Sequence, residues 1–258
     1  MTRTLPGSET TPAARTPATT GRAARPVGTV LVTGAASGLG RAVAEAVSAA
    51  GGRPLLIDRV PVTSPPSERE REPLSAVVDL ADTAAAHTAT TRLVAAAGGL
   101  DAVVTAAGTD RCGPFAEVDA EEWERVVRVN LFGVAAVVRA ALPHLRGRGG
   151  RIVTVASTLG LRAAGDATAY CASKFGVVGF TRALATELAG EVGVTLLVPG
   201  GMATAFFDGR PEQYRPAPDQ MLADPADVAD AVVYALTRPD GCELREMVVC
   251  PSTEPSWP

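Results

Sequence analysis

Lysine is almost missing from this chain. Of its 24 basic residues 23 are arginine, and the one lysine is Lys174. Asparagine is equally scarce, with Asn130 the single copy. Composition explains neither survivor, so their surroundings must. Other absences exclude whole classes of function. No long basic stripe runs along the sequence and the net charge is −4, which argues against nucleic acid as a partner. The four cysteines, Cys112, Cys171, Cys242 and Cys250, form no CxxC pair. Nor do they make a metal-like cluster with the two histidines, His87 and His144. They read as reduced thiols of a cytoplasmic protein with no metal site, and the histidines as surface or helix residues. No apolar run reaches the roughly 18 residues of a membrane span.

The first 26 residues carry Thr, Pro, Ala and Arg with a single acid, Glu9. That composition is shared with transit peptides. Pro6, Pro12, Pro17 and Pro26 would interrupt an amphipathic helix, however. The segment 1–26 reads instead as a disordered N-terminal tail.

From Val27 onward apolar runs alternate with helical patterns. GTVLVTG, RPLLID, LSAVVDL, LDAVVTAAG, GRIVTVAS, VTLLVPGG and REMVVC read as strands. Helices are predicted over about 40–52, 81–97, 119–146 and 168–190, and over the stretch starting DPADV, with Asp224 as cap and Pro225 at its first position. Residues 59–73 hold four prolines and read as a loop with a stub of helix. Near-continuous apolar strands are buried on both faces, so the sheet should be parallel with helices on each side. The expectation is an α/β fold: a doubly wound parallel sheet of about seven strands in a single domain over 27–258.

VTGAASGLG, residues 32–40, lies between the first strand and the first helix. Gly34, Gly38 and Gly40 let the backbone turn sharply and approach a pyrophosphate, while the helix N-terminus offers free N–H groups to phosphates. Asp58 ends the second strand about 20 residues further on, where a carboxylate accepts from adenosine ribose hydroxyls. It would repel a 2′-phosphate, which favours NAD over NADP, although Arg59 beside it partly offsets the repulsion. A strand-end cap is the other reading of Asp58. Asp79 either reaches the adenine amino group or starts a turn.

Tyr170 and Lys174 are four apart on a predicted helix and share a face. A phenol titrates near 10, and a neighbouring ammonium lowers that value. With a cationic nicotinamide alongside, the phenol would be poised for acid–base work. Lysine offers a compact charge and three rotatable donors where arginine is a planar fork. Ser157 follows the fifth strand, at the strand end where ligands bind in parallel sheets. Its hydroxyl suits a carbonyl or alcohol oxygen, though serine is also a common loop residue.

TGAASGLG, the DL at 79–80, the AAG at 106–108, Asn130, Ser157, YCASK and PGGMAT at 199–204 come in an order and spacing that resembles the short-chain dehydrogenase/reductase family. The resemblance covers about residues 27–250, is closest to the compact single-domain branch, and implies a Rossmann-type fold of seven strands. It implies Tyr170 as general acid/base and Ser157 as the group orienting the reacting oxygen. It implies that Lys174 binds the nicotinamide ribose and tunes Tyr170, and that Asn130 anchors a water of a proton relay. The dinucleotide would lie against Gly34, Ser37, Gly38, Leu39, Gly40, Asp58, Asp79, Leu80, Ala106, Ala107, Gly108, Tyr170, Lys174, Pro199, Gly200, Met202 and Thr204. One departure is Thr105-Ala106-Ala107-Gly108 where many members have Asn-Asn-Ala-Gly. It should remove one hydrogen bond near the adenosine, a loss of about 1 kcal/mol.

The expected activity is an NAD-dependent interconversion of a secondary alcohol and a ketone. The rival within enzymes is an NADPH-dependent carbonyl reductase of a biosynthetic pathway, acting on a 3-oxoacyl or polyketide-type ketone. A rival of another class, a nucleotide-sensing binding protein, has no need of a Ser/Tyr/Lys/Asn set. A small-molecule substrate would sit under the segment of about 204–222. There Phe206, Phe207, Tyr214 and Met221 form either a lid or core. A homo-oligomer, tetramer or dimer, is expected through the long fourth and fifth helices, with Trp257 on a neighbouring subunit. No membrane or nucleic-acid partner is expected.

Overall fold

Short β-branched runs form the centre of the molecule. The computed structural model describes residues 23–62 and 74–257. The reading of 1–26 as a tail and of 59–73 as a loop with a helical stub therefore fall largely outside the described residues. Arg25, within the first of these, donates its backbone N–H to Thr237 O at 3.0 Å and its guanidinium to the Gly149 carbonyl.

Among the described residues seven strands are present: β1 (Thr29–Thr33), β2 (Arg53–Asp58), β3 (Leu74–Val77), β4 (Ala102–Thr105), β5 (Arg151–Val155), β6 (Gly193–Pro199) and β7 (Glu246–Val249). They form one sheet in the order β3-β2-β1-β4-β5-β6-β7. Every pair is parallel, as continuous apolar runs demand. β4, β5 and β6 are buried throughout. The two edge strands differ from the expectation of two-sided burial: β3 and β7 alternate between exposed and half-buried residues. An edge strand has a neighbour on one side only, and part of each edge faces solvent.

Side chains alternate across the sheet and build two cores. Val30, Val32, Leu56, Val104, Val153 and Leu197 pack on α1 (Gly38–Ala49) and α6 (Pro225–Leu236). Leu31, Ile57, Val103, Ile152 and Val194 pack on the opposite face, beneath α2 (Thr83–Ala97), α4 (Val134–Leu145) and α5 (Thr168–Glu187). Asp224 caps α6 through the Ala226 N–H at 2.8 Å with Pro225 in the first turn, as the sequence predicts.

The helix expected as one piece over about 119–146 is divided. Asp119 caps α3 (Ala120–Val127), a π-helical turn spans Arg128–Gly133, and α4 follows. The widened turn turns Asn130 inward and brings Gly133 against Leu80, where an added Cβ would lie 2.8 Å from the Leu80 Cβ. Such π-turns gather at functional sites. The run Ala120–Leu145 is long and apolar enough to cross a membrane by length and composition alone, at mean hydropathy 1.6. Against that, 56% of the window is buried inside the domain, the pattern of a core helix.

The order reversal between β1 and β4 makes a switch point, and ligands in such sheets bind beyond the carboxyl strand ends there. Gly34, Asp58, Asp79, Ala106, Ser157 and Gly200 each lie at or just beyond the C-terminal end of a strand.

Candidate functional site

A cleft of about 830 Å³ opens at the switch point. Its floor comes from the glycine turn. Gly34 has φ +71, and an added Cβ would sit 2.8 Å from Ala107 Cα, so only glycine fits between β1 and β4. A Cβ on Gly40 would collide with the Gly34 carbonyl, which sets how closely α1 packs on β1. Ser37 stands at the N-cap of α1 but makes no side-chain cap, and no acid occupies the first turn. The first N–H groups of α1 therefore face the cleft without a carboxylate or hydroxyl competing for them. Thr204 closes over this turn, its Cγ2 3.4 Å from where a Gly38 Cβ would be.

Asp58 Oδ2 accepts from Ala36 N at 2.9 Å, and Oδ1 accepts from Val60 N at 3.2 Å. Asp58 thus clamps the glycine turn to the end of β2. Each carboxylate oxygen keeps further lone-pair capacity for a ribose hydroxyl. Asp79 Oδ1 accepts from Ala81 N, the turn-starting role, and Oδ2 pairs with Arg125 at 2.7 Å. Burial works to raise the Asp79 carboxyl, but the Ala81 N–H and the Arg125 guanidinium overcome it and hold it below its usual value. Leu80, Ala106, Ala107, Gly108, Pro199, Gly200 and Met202 also line the cleft, with Ser37 and Leu39. Every cofactor residue expected from sequence is among its walls.

Thr105, in place of the usual asparagine, has a buried hydroxyl with no partner among the described residues. The local tie comes instead from Thr33, whose Oγ1 accepts from Ala107 N at 3.1 Å.

The other half of the cleft holds Ser157, Tyr170 and Lys174. Tyr170 and Lys174 lie one turn apart on α5, with Lys174 Nζ 5.6 Å from the Tyr170 ring centroid. Lys174 is buried and donates to Val155 O at 2.9 Å. Ser157 accepts from Leu159 N at 3.2 Å and lies close enough to the Tyr170 hydroxyl to act on its titration. The titration of the pair differs from the expected lowered phenol. Burial pushes Tyr170 up to about 12, with the Ser157 hydroxyl opposing it, and Asp110 adds to the rise. Burial pulls Lys174 down to about 8, Asp110 working against that. Desolvation disfavours both charged forms and is the largest cause in each case.

Asn130 is fully buried on the π-turn, and its side-chain bonds are all to protein groups. Oδ1 accepts from Thr109 N at 2.8 Å, while Nδ2 donates to Thr109 O at 2.8 Å and Ser173 Oγ at 3.0 Å. It joins the chain leaving β4 to α5, and its Oδ1 and Lys174 Nζ both lie 3.7 Å from where a Gly108 Cβ would stand.

Three residues of the site escape a reading of the sequence. Asp110, two positions past Gly108, pairs with Arg210 at 2.8 Å and accepts from Cys112 Sγ at 3.1 Å. Arg210 also covers the rings of Phe206 and Phe207, at 4.9 and 4.7 Å from their centroids. Glu254, the only acid of the last eight residues, is buried against Gly201. Its placement could have been suspected only from an acid stranded in an apolar tail. Of the four residues read as lid or core, Phe206, Phe207 and Tyr214 line the cleft, with Phe206 5.7 Å from Tyr170. Met221 is 55% exposed and lies outside the cleft walls.

Known proteins resemble this chain in sequence and fold. The short chain dehydrogenase family matches residues 28–215. A relative from Thauera aromatica, the (2S)-[(R)-hydroxy(phenyl)methyl]succinyl-CoA dehydrogenase subunit BbsD, is 33% identical over 79% of this chain and 87% of its own. A solved short chain dehydrogenase from Mycobacterium paratuberculosis bound to NAD superposes with a TM-score of 0.72 at 26% identity, covering 86% of this chain and 96% of that one. One from Burkholderia cenocepacia J2315 in complex with NADP gives 0.74 at 26% identity, again over 86% and 96%. The glycine turn, the uncapped helix start and the Ser157/Tyr170/Lys174 corner are thus features of a chain that belongs to the short chain dehydrogenase family and is an NAD(P)-dependent oxidoreductase.

Proposed function

We propose that the protein interconverts a secondary alcohol and a ketone with NAD as its preferred cofactor. The observation that carries this is the meeting of Ser157, Tyr170 and Lys174 in one cleft with the glycine turn and Asp58. Bound NAD⁺ supplies the acceptor for a hydride leaving the carbinol carbon. The chain supplies the rest. Ser157 holds the alcohol oxygen and Tyr170, as phenolate, takes its proton as the carbon–oxygen double bond forms. In the reverse direction Tyr170 returns that proton to the carbonyl oxygen.

A phenol at about 12 is a weak acid for this task. Further positive charge must bring it down beyond what Lys174 beside its ring supplies, and a bound cationic nicotinamide would add it. Lys174 also presents donors toward the ribose. Asn130 holds Thr109 and Ser173 in register, so that α5 stands correctly against the end of β4. Asn130 Oδ1 keeps one acceptor lone pair, and this and the backbone of its π-turn are left for anchoring a relay water.

Preference for NAD rests on the Asp58 carboxylate at the end of β2, which disfavours a 2′-phosphate. The second reading, an NADPH-dependent carbonyl reductase, draws on Arg59, which lines the same end of the cleft. A homo-oligomer packed through α4 and α5 belongs to the same proposal; Phe132 and Phe175 are 53% and 46% exposed.

Tyr170→Phe tests the assignment. Turnover of a panel of secondary alcohols should fall by about 100-fold or more, while NADH still binds by fluorescence titration. Near-normal turnover would remove Tyr170 from the reaction. Faster reduction with NADPH than NADH would favour the second reading.

A further inference from the structure

The C-terminal tail enters the cleft and leaves a carboxylate there. Glu254, Pro255 and Ser256 line it. Glu254 is 8% exposed, with Oε2 accepting from Gly201 N at 2.8 Å. Oε1 accepts from Ser256 N at 3.1 Å and Ser256 Oγ at 2.5 Å. Ser256 Oγ in turn shares a hydrogen bond with Thr158 Oγ1 at 2.7 Å, next to Ser157. A Cβ on Gly200 would run into the carboxylate.

The partners of Glu254 are all neutral. Among the described residues it takes part in no ion pair. Arg162, which reaches this tail, donates to the Pro255 carbonyl at 3.2 Å. Burial works to raise the Glu254 carboxyl, but the hydrogen bonds from Ser256 and Gly201 overcome it and hold it below its usual value, so the group is charged at neutral pH. A buried charge without a counter-ion is expensive to keep. Three N–H and O–H donors compensate it locally, but its field still reaches past the Gly200–Gly201 peptide into the cleft.

We propose that Glu254 is an electrostatic positioning residue that favours the cationic, oxidised nicotinamide over the neutral, reduced one. The inference rests on the proposed function, which seats the nicotinamide against Pro199–Thr204. Oxidised and reduced dinucleotide differ by one unit of positive charge on that ring. A fixed negative charge behind the loop holding it must therefore weight the two affinities differently, while groups at the adenosine end act on both alike. Lys174 and Asp110 also face this part of the cleft, and they stay constant when Glu254 alone is changed.

The test is titration of NAD⁺ and NADH, by calorimetry and nicotinamide fluorescence, to the wild type, Glu254→Gln and Glu254→Asp. Glu254→Met serves as a second neutral variant should the glutamine one fail to fold. In the neutral variant NAD⁺ affinity should fall about fivefold or more relative to NADH affinity, and Glu254→Asp should keep the wild-type ratio. Equal weakening of both forms, or an unchanged ratio, would reduce Glu254 to a structural clamp and overturn the proposal. A wild type that binds neither NAD⁺ nor NADH, nor NADP⁺ nor NADPH, would overturn the cofactor site itself and the proposal with it.

Discussion

Replacing Lys174 by methionine should make the protein more stable while abolishing turnover. The amine is 4% exposed and its one hydrogen-bond acceptor is Val155 O. Burial lowers its pKa from 10.5 to about 8, so the unfolded chain holds the proton more tightly than the folded one. Below about pH 8 the amine is charged in both states and the full penalty of about 3 kcal/mol applies. Between about pH 8 and 10.5 the folded chain has released the proton and the unfolded chain has not, so stability recovers as pH rises through that window. Lys174→Met removes the penalty but leaves the Val155 carbonyl without its donor, a loss of about 1 kcal/mol. The variant should therefore gain about 2 kcal/mol near pH 7. Its advantage should vanish toward about pH 10, where wild type has shed the charge. Tyr170 is common to both proteins and its own titration largely cancels in the difference. Urea unfolding of both proteins across this range measures the effect. A variant less stable than wild type near neutrality, or a difference that ignores pH, would refute the reasoning.

Asn130→Ala strips the Thr109 N–H and C=O of their buried partners and should lower stability by about 3 kcal/mol; a loss under about 1 kcal/mol in urea unfolding would count against the clip. The Asp110–Arg210 pair has side chains only 6% and 17% exposed, so Arg210→Ala should cost about 3 kcal/mol by leaving a buried carboxylate. A double-mutant cycle should give this pair a coupling several times that of the exposed Arg41–Glu45 pair, and equal couplings would refute it. Burial, then the Asp110 charge and hydrogen bond, push the Cys112 thiol up to about 12. Iodoacetamide near neutral pH, followed by mass spectrometry, should therefore label the exposed Cys242 long before Cys112. Fast labelling of Cys112 would contradict the assigned environment.

The residues expected at the cofactor were legible because their chemistry is local. Gly34, Gly38 and Gly40 act through backbone shape, and a sequence displays backbone tolerance directly. Asp58 and Asp79 sit at strand ends that periodicity already marks. Tyr170 and Lys174 are one turn apart on a helix that ordinary patterning finds. What patterning missed lay in contacts, not elements. The helix over 119–146 looks uniform in composition, and its π-turn becomes visible only once Asn130 meets Thr109 and Gly133 meets Leu80. In the protein alone the Tyr170 phenol stands above its ordinary value for a related reason. Spacing on a helix reports that two groups are near, but not how far both are removed from water, and desolvation proved the larger effect.

The side of the cleft beneath the 204–222 segment is built the opposite way, from pairs far apart in sequence. Asp110 and Arg210 are 100 residues apart, Thr158 and Ser256 are 98 apart, and Asp166 and Tyr214 are 48 apart. Each joins a strand end or pre-helix loop to the 204–222 segment or the tail. No local rule selects such partners, so their loops looked interchangeable before they were placed. The division has a physical consequence. Substitutions in the 204–222 segment act on the shape above Tyr170 through Phe206 and Arg210, whereas Lys174 and Asn130 are tied to β4, β5 and α5 beneath it. On the proposed reading, charge at the reacting centre is governed mainly from the rigid sheet, and substrate fit mainly from the 204–222 segment. The coupling between the halves runs through Asp110, which pairs with Arg210 above and acts on both Tyr170 and Lys174 below. A change in the loop that frees Asp110 from Arg210 would leave its charge less compensated, raising Tyr170 further and moving Lys174 back toward its ordinary value. Proton transfer would then be altered by a substitution that touches neither Tyr170 nor Lys174.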